Sequence, residues 1–264
     1  MRHFFIDRTQ IRQDRLTLEG TDVRHIRTVL RLGPGDEVSL FDGQGWQYRA
    51  RITGSTPRAI TLLLLDRYPA ISESHLKITM GQGFLKARKM DRMVRQLTEL
   101  GASGFLPFMA ERSVPRPRPG PLAERRRRWE TIAREALKQC GRSQAPHIGH
   151  VVSFKEVISA REAYDLKIVF HNTETNSPSA SSFGAVKEVR KVLALIGPEG
   201  GFTEKEVSSA LDSGFVPVSL GPRTLKADTA AMAACAILQH VLGDLGAAKK
   251  ALTRTEASNK KFPS

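Results

Sequence analysis

From residue 77 to about 242 the chain alternates short apolar runs with amphipathic helical segments, and this rhythm restricts its fold more than any other feature. Runs at 77–81, 104–109, 166–171, 192–196 and 216–220 are short, largely apolar and bounded by turn residues, which predicts strands. Met90, Met93, Val94, Leu97 and Leu100 recur at helical spacing over 86–100, and Trp129, Ile132, Ala133, Ala136 and Leu137 do so over 122–139. Two more helices are predicted near 203–213 and 229–242. Parallel neighbours cannot be joined by a tight hairpin, whereas a helical crossover joins them readily, so the expected fold class is α/β with a mainly parallel sheet.

The front of the chain has a different texture. Strands are predicted at 2–7, 15–18, 36–42, 47–53 and 59–66, separated by Gly, Pro and Asp turn chemistry, with one short helix at 22–30. So many short strands in so little chain imply a small β-barrel or curled sheet. At 264 residues, against a guide of about 150 per domain, two domains are expected. The boundaries read as 1–72 and 73–246, followed by a polar, basic tail at 247–264 that is expected to be disordered.

Several classes are excluded early. With 40% hydrophobic residues the chain can build a real core, yet no stretch reaches the roughly 20 apolar residues a bilayer span needs. The start lacks an apolar signal region, so a cytoplasmic protein with no membrane partner is expected. Cys140 and Cys235 stand alone, which encodes neither a disulfide framework nor a metal site.

The net charge of +14 favours a polyanionic partner, and its distribution sharpens that inference. Residues 76–150 hold 16 Lys/Arg against 6 Asp/Glu, so 10 of the 14 net charges fall in this stretch. Arginine dominates there and suits bidentate phosphate contacts. The RNA-binding candidates are Arg88, Lys89, Arg116, Arg118, Arg125, Arg126, Arg127, Arg128 and Arg142, joined by Arg31 from the front of the chain. Solvated helix faces are the alternative reading for any one of them.

Two glycine turns carry the chemistry. Gly197-Pro198-Glu199-Gly200-Gly201 follows a predicted strand and precedes Thr203-x-x-Glu206, a capping-box pattern that opens a helix. Leu220-Gly221-Pro222-Arg223-Thr224-Leu225-Lys226-Ala227-Asp228-Thr229 again joins a strand to a helix. Strand ends facing helix starts form ligand sites in open α/β sheets, and glycine lets the backbone approach a flat ligand closely. Neither turn has the spacing of a P-loop or of GxGxxG. Two roles are open to Asp228, a pocket carboxylate or a helix N-cap.

The pair IGPEGGFTEKE and LGPRTLKADTA resembles the SPOUT-superfamily methyltransferases, and more narrowly the RsmE family. The resemblance extends from about residue 1 to 246. It takes in His25 through Arg31, Gly33-Pro34-Gly35-Asp36 and Phe41-Asp42-Gly43 at the front, then Leu97 through Gly101, Glu111-Arg112-Ser113, Arg128-Trp129 and Glu135 through Arg142. Gln96 and Lys138 depart from the family pattern, which has lysine and glutamate there, so no role is carried onto either. Lys226 and Asp228 stand where arginine and glutamate are common.

The resemblance implies a C-terminal SPOUT domain with a trefoil knot, a PUA-like N-terminal β-barrel, and a homodimer. It also implies methylation of N3 of a uridine in small-subunit ribosomal RNA, on the RNA or the assembled small subunit, with S-adenosyl-L-methionine as cofactor. Cofactor contacts are expected from Ile196, Gly197, Glu199, Gly200, Gly201, Leu220, Gly221, Leu225, Lys226, Ala227 and Thr229. For catalysis the candidates are Asp228 as general base or positioning group, Arg223 as stabiliser of charge developing on the uracil oxygens, and Lys226 assisting; Glu199 competes for the acid–base part. The alternatives are another base or a ribose 2′-hydroxyl as acceptor, or a non-catalytic RNA-binding ribosome assembly factor.

Overall fold

Within Arg15–Glu19, Leu16 and Leu18 point inward while Arg15, Thr17 and Glu19 stay exposed, the period of two that organises the first unit of the computed structural model. The structure describes residues 3–70, 73–114, 120–159, 164–171 and 188–246. Of the described residues, one unit holds those up to Glu73 together with Leu137–Ala145; the other holds Ser74–Ala136 and residues 146–246.

The first unit has β1 (His3–Phe5), β2 (Arg15–Glu19), α1 (Thr21–Arg24), β3 (Glu37–Phe41), β4 (Trp46–Ser55) and β5 (Ala59–Pro69). Its sheet runs β1-β3-β4-β5-β2, with β1 parallel to β3 and the remaining pairs antiparallel. Register shifts at Arg49/Ala50 and Ile52/Gly54 bend the sheet around a core that includes Leu16, Leu18, Ile26, Leu40, Ile52, Ile60 and Leu62. Of the two expected forms, the curled sheet is the one observed, since among the described residues β1 and β2 are its edges and do not pair with each other. The predicted helix at 22–30 begins one residue earlier as α1 and then widens into a π turn, His25–Val29.

Asp42 organises the turn after β3. It is 4% exposed; its Oδ1 accepts backbone N–H bonds from Gln44 at 2.9 Å and Trp46 at 3.2 Å, and Oδ2 accepts from the Tyr48 hydroxyl at 3.1 Å. Burial, reinforced by the Asp42 charge, pushes the Tyr48 phenol up to about 12. An Asp42→Ala protein leaves these donors without their acceptor, so urea unfolding is expected to show a loss of about 2–4 kcal/mol. A loss below about 1 kcal/mol would remove the turn from the fold's supports.

The second unit contains β6 (Lys77–Gly83), α2 (Ala87–Glu99), β7 (Gly104–Met109), α3 (Gly120–Cys140), whose last turn groups with the first unit, β8 (His147–Ile148), β9 (Val152–Ser153), α4 (Phe154–Ile158), β10 (Leu166–Phe170), β11 (Lys191–Ile196), α5 (Glu204–Asp212), β12 (Val216–Val218) and α6 (Ala227–Val241). Every strand pair is parallel, in the order β12-β10-β11-β6-β7-β8, with β9 also on β7. Parallel strands covered on both faces are apolar at successive positions, as in β11. Its Val192, Ala194 and Ile196 face the core shared with α2, α3 and α6, while Leu193 and Leu195 face the one shared with α4 and α5.

Short elements escaped the sequence reading. The helix α4 is too brief for periodicity, although its Ser153-x-x-Glu156 capping box was visible in the sequence. The strand predicted at 216–220 stops at Val218, and the helix predicted from 229 starts at Ala227. The tail at 247–264 lies outside the described residues. Among the described residues no helix is long and apolar enough to cross a membrane, and no cluster of His, Cys, Asp or Glu could hold a metal ion.

Candidate active site

Three neighbouring strands end side by side. The chain passes from β10 to β11 on one flank and then returns to β12 on the other, which makes the carboxyl end of β10 a topological switch point. A cleft of about 340 Å³ opens there. Phe170 and His171 from the end of β10 line it, with Ile196 and residues 197–202 after β11, Ser219, Leu220 and Gly221 after β12, and then Arg223, Thr224, Leu225, Ala227 and Ala230. Arg112 joins them from the segment after β7.

The first glycine turn is anchored from several sides. Register places Gln82 of β6 beside Ile196, and the buried Gln82 Nε2 donates to the carbonyls of Gly83 and Gly197, both at 2.9 Å. Gly83 permits this contact, because a Cβ there would lie 2.6 Å from the Pro198 nitrogen. Gly201 takes a left-handed φ of 68° and donates to the Pro198 carbonyl at 2.9 Å, closing the turn. Arg112 Nη1 donates to the carbonyls of Gly200 at 3.0 Å and Phe202 at 3.4 Å. The segment that carries Arg112 is itself tied down: Glu206, which caps α5 reciprocally with Thr203, accepts the Glu111 backbone N–H at 2.8 Å.

In the second turn Gly221 has φ 104° and donates to Ser219 Oγ at 3.2 Å. Lys226 occupies the N-cap position of α6 with no side-chain cap bond, so the N-cap role open to Asp228 is not realised. Asp228 sits in the first turn instead, and its Oδ1 is buried without a hydrogen-bond partner. Glu199 itself is paired: Lys89 Nζ lies 2.8 Å from its Oε1. That bond, assisted by the charges of Glu199 and Asp228, holds the Lys89 ammonium above its ordinary pKa.

Of the residues expected to touch a cofactor, Ile196, Gly197, Glu199, Gly200, Gly201, Leu220, Gly221, Leu225 and Ala227 are brought together in the cleft, and the catalytic candidate Arg223 lines it with them. Lys226 and Thr229 are exposed and lie outside its lining, and so does the catalytic candidate Asp228, although Ala227 beside it lines the cleft. Arg112, Phe170, His171, Phe202, Ser219 and Thr224 are additions from the structure. His171 had a signal, its place at the end of a strand, whereas nothing local to Arg112 points to a site 88 residues further along the chain.

The basic candidates divide sharply. Arg31, Arg88 and Arg127 are exposed and, among the described residues, form no ion pair. Arg126 approaches Glu130 at 3.0 Å, Arg128 is bound to Asp91 at 2.7 Å while 66% exposed, and the Arg125 guanidinium lies 5.6 Å over the Phe84 ring. Arg142 is a correction: it is 7% exposed and its guanidinium is committed to Glu73 at 2.8 Å, which removes it from any RNA-facing surface. Arg116 and Arg118 lie outside the described residues.

An RNA methyltransferase domain family matches residues 72–239, and an RNA methyltransferase PUA domain family matches 18–65. Among curated proteins, the chain is 28% identical over 247 residues to ribosomal RNA small subunit methyltransferase E of Bacillus subtilis, covering 91% of this chain and 96% of that one. The protein of the same name from Synechocystis is 30% identical, over 88% of this chain and 75% of its own. A crystal structure of ribosomal RNA small subunit methyltransferase E from Neisseria gonorrhoeae bound to S-adenosyl methionine superimposes with a TM-score of 0.80 at 29% identity, covering 92% and 99% of the two chains. The cleft suits such a ligand. Its volume falls within the usual range of about 300–1,000 Å³ for small-molecule sites, Ile196, Leu220 and Leu225 offer apolar flanks, and Gly201 and Gly221 hold conformations that side chains rarely adopt.

Proposed function

This chain belongs to the ribosomal RNA small subunit methyltransferase E family of RNA methyltransferases, and from that membership we propose that it methylates N3 of a uridine in small-subunit ribosomal RNA with S-adenosyl-L-methionine as donor. The observation that carries the reading is the single cleft at the strand ends into which both glycine turns contribute. When bound, the cofactor supplies a methyl group already activated on a sulfonium. The residues of the chain hold the reactants in line and take up the N3 proton, because the nitrogen lone pair stays delocalised into the ring until that proton leaves. Asp228 accepts that proton. Arg223 stabilises the negative charge that develops on the uracil oxygens, and Lys226 adds positive charge at the start of α6.

In this reading residues 1–72 form a PUA-like RNA-binding domain and 73–246 a SPOUT domain whose chain near the two turns is threaded as a trefoil knot. The protein works in the cytoplasm as a homodimer on small-subunit RNA or the assembled subunit. Arg31, Arg88, Arg125, Arg127 and Arg128 meet phosphates. RNA affinity is then expected to fall at least about tenfold between about 50 and 200 mM salt in a filter-binding titration, and a salt-independent affinity would contradict these contacts.

The decisive experiment is incubation of the protein with labelled cofactor and small subunits lacking the modification, followed by nucleoside analysis. The expected product is 3-methyluridine. A 2′-O-methyl nucleoside or another methylated base would change the acceptor, and no transfer would leave an RNA-binding assembly factor. An Arg223→Ala variant is expected to lose about 10²–10³ in kcat with cofactor affinity retained, and unchanged turnover would take Arg223 out of the mechanism.

A further inference from the structure

We propose that Glu199 is the residue by which the cleft distinguishes the positively charged cofactor from its neutral demethylated product, and that Lys89 sets how strongly it does so. The inference rests on reading the cleft as the S-adenosylmethionine site. Glu199 lines it from an anchored backbone, with the Gly197 carbonyl held by Gln82 and the Gly200 carbonyl held by Arg112. Its ammonium partner, Lys89 of the first turn of α2, lies 2.8 Å away. The same ammonium lies in the field of Asp228, whose Oδ1 is buried with no donor. Among the described residues that line the cleft, Glu199 is the one carboxylate.

The other formal charges in the lining are the guanidinium groups of Arg112 and Arg223. Arg112 directs Nη1 at backbone carbonyls, and Arg223 is exposed on the second turn. A positive charge placed beside the Glu199 carboxylate is stabilised by it, whereas a neutral group in the same place gains nothing from that charge. Methyl transfer converts the sulfonium into a thioether and removes one positive charge from the ligand. The attraction exerted by Glu199 thus ends with the reaction, which favours exchange of product for fresh cofactor. By neutralising part of the Glu199 charge, Lys89 limits the preference.

Isothermal calorimetry on the full chain with S-adenosylmethionine and S-adenosylhomocysteine tests the inference, since the two ligands differ only in the methyl and its charge. Glu199→Gln is expected to weaken S-adenosylmethionine by about three- to tenfold while S-adenosylhomocysteine stays within about twofold. Lys89→Met is expected to shift the affinity ratio by a similar factor in the opposite direction, and added salt to shrink it in the wild type. Thermal melts confirm that each variant is folded. Equal weakening of both ligands by Glu199→Gln would mean that the side chain merely shapes the turn, and a ratio unmoved by either variant would equally overturn the proposal. A wild-type chain that binds neither ligand overturns the cofactor reading and this inference together; one that binds both with an insensitive ratio overturns the inference alone.

Discussion

An Asp228→Asn enzyme is expected to turn over about 10²- to 10⁴-fold more slowly than the wild type while still binding cofactor. The side chain keeps its shape and loses only its capacity to take a proton. A buried acceptor without a donor costs about 1–3 kcal/mol, and Asp228 Oδ1 is such an atom. Asp228 directly follows Ala227, which lines the cleft, so the carboxylate stands next to the proposed site. The competing role is structural: a carboxylate in the first turn of α6 interacts favourably with the helix N-terminus, worth about 0.3–1 kcal/mol. That role predicts a lower melting temperature with normal kcat. Single-turnover methylation on small subunits, measured beside a thermal melt, separates the two, and full turnover by the Asn variant would sink the general-base assignment.

Gly201→Val is expected to abolish cofactor binding, by at least about 100-fold in calorimetry, in a chain that remains folded. The φ of 68° at this position is open to glycine and strongly unfavourable for a β-branched residue, so the variant must open the turn. Opening it breaks the Gly201 N–H bond to Pro198 and moves the wall against which Gly197 packs, where an added Cβ would lie 3.1 Å from the Gly201 carbonyl carbon. Gly201→Asn should lose much less, because asparagine tolerates the left-handed region and no atom lies within 4 Å of its Cβ position. Neither residue belongs to the apolar cores, so the melting temperature should change little. Normal binding by the Val variant would mean that this turn is not the cofactor's wall.

Much of the architecture was legible in local signals. Period-two alternation in β2 and the unbroken apolar run of β11 reported their one-sided and two-sided burial, and the Thr203–Glu206 capping box announced α5. Segments too short for a period, such as α4 and β8, left little trace. Boundaries shifted where tertiary contacts outweighed local preference. The early end of β12 at Val218 releases Ser219 and Leu220 into the cleft, and the early start of α6 places Lys226, not Asp228, at its cap.

Charge was legible in amount and not in use. Arg142 and Arg127 are indistinguishable as letters in a basic stretch, yet one is locked to Glu73 and the other is exposed. Lys89, one of the RNA-binding candidates, is also the partner of Glu199, a residue 110 positions away.

By itself the sequence determined which of the longer elements form, that the second unit's sheet is parallel, that two glycine turns stand between strands and helices, and to which family the chain belongs. All of these depend on residues close together in the chain or on ordered motifs. The tertiary structure alone decided that β10 lies between β11 and β12, because strand order is set by how whole layers pack and has no local signature. That order brings both turns, His171 and Arg112 into one cleft.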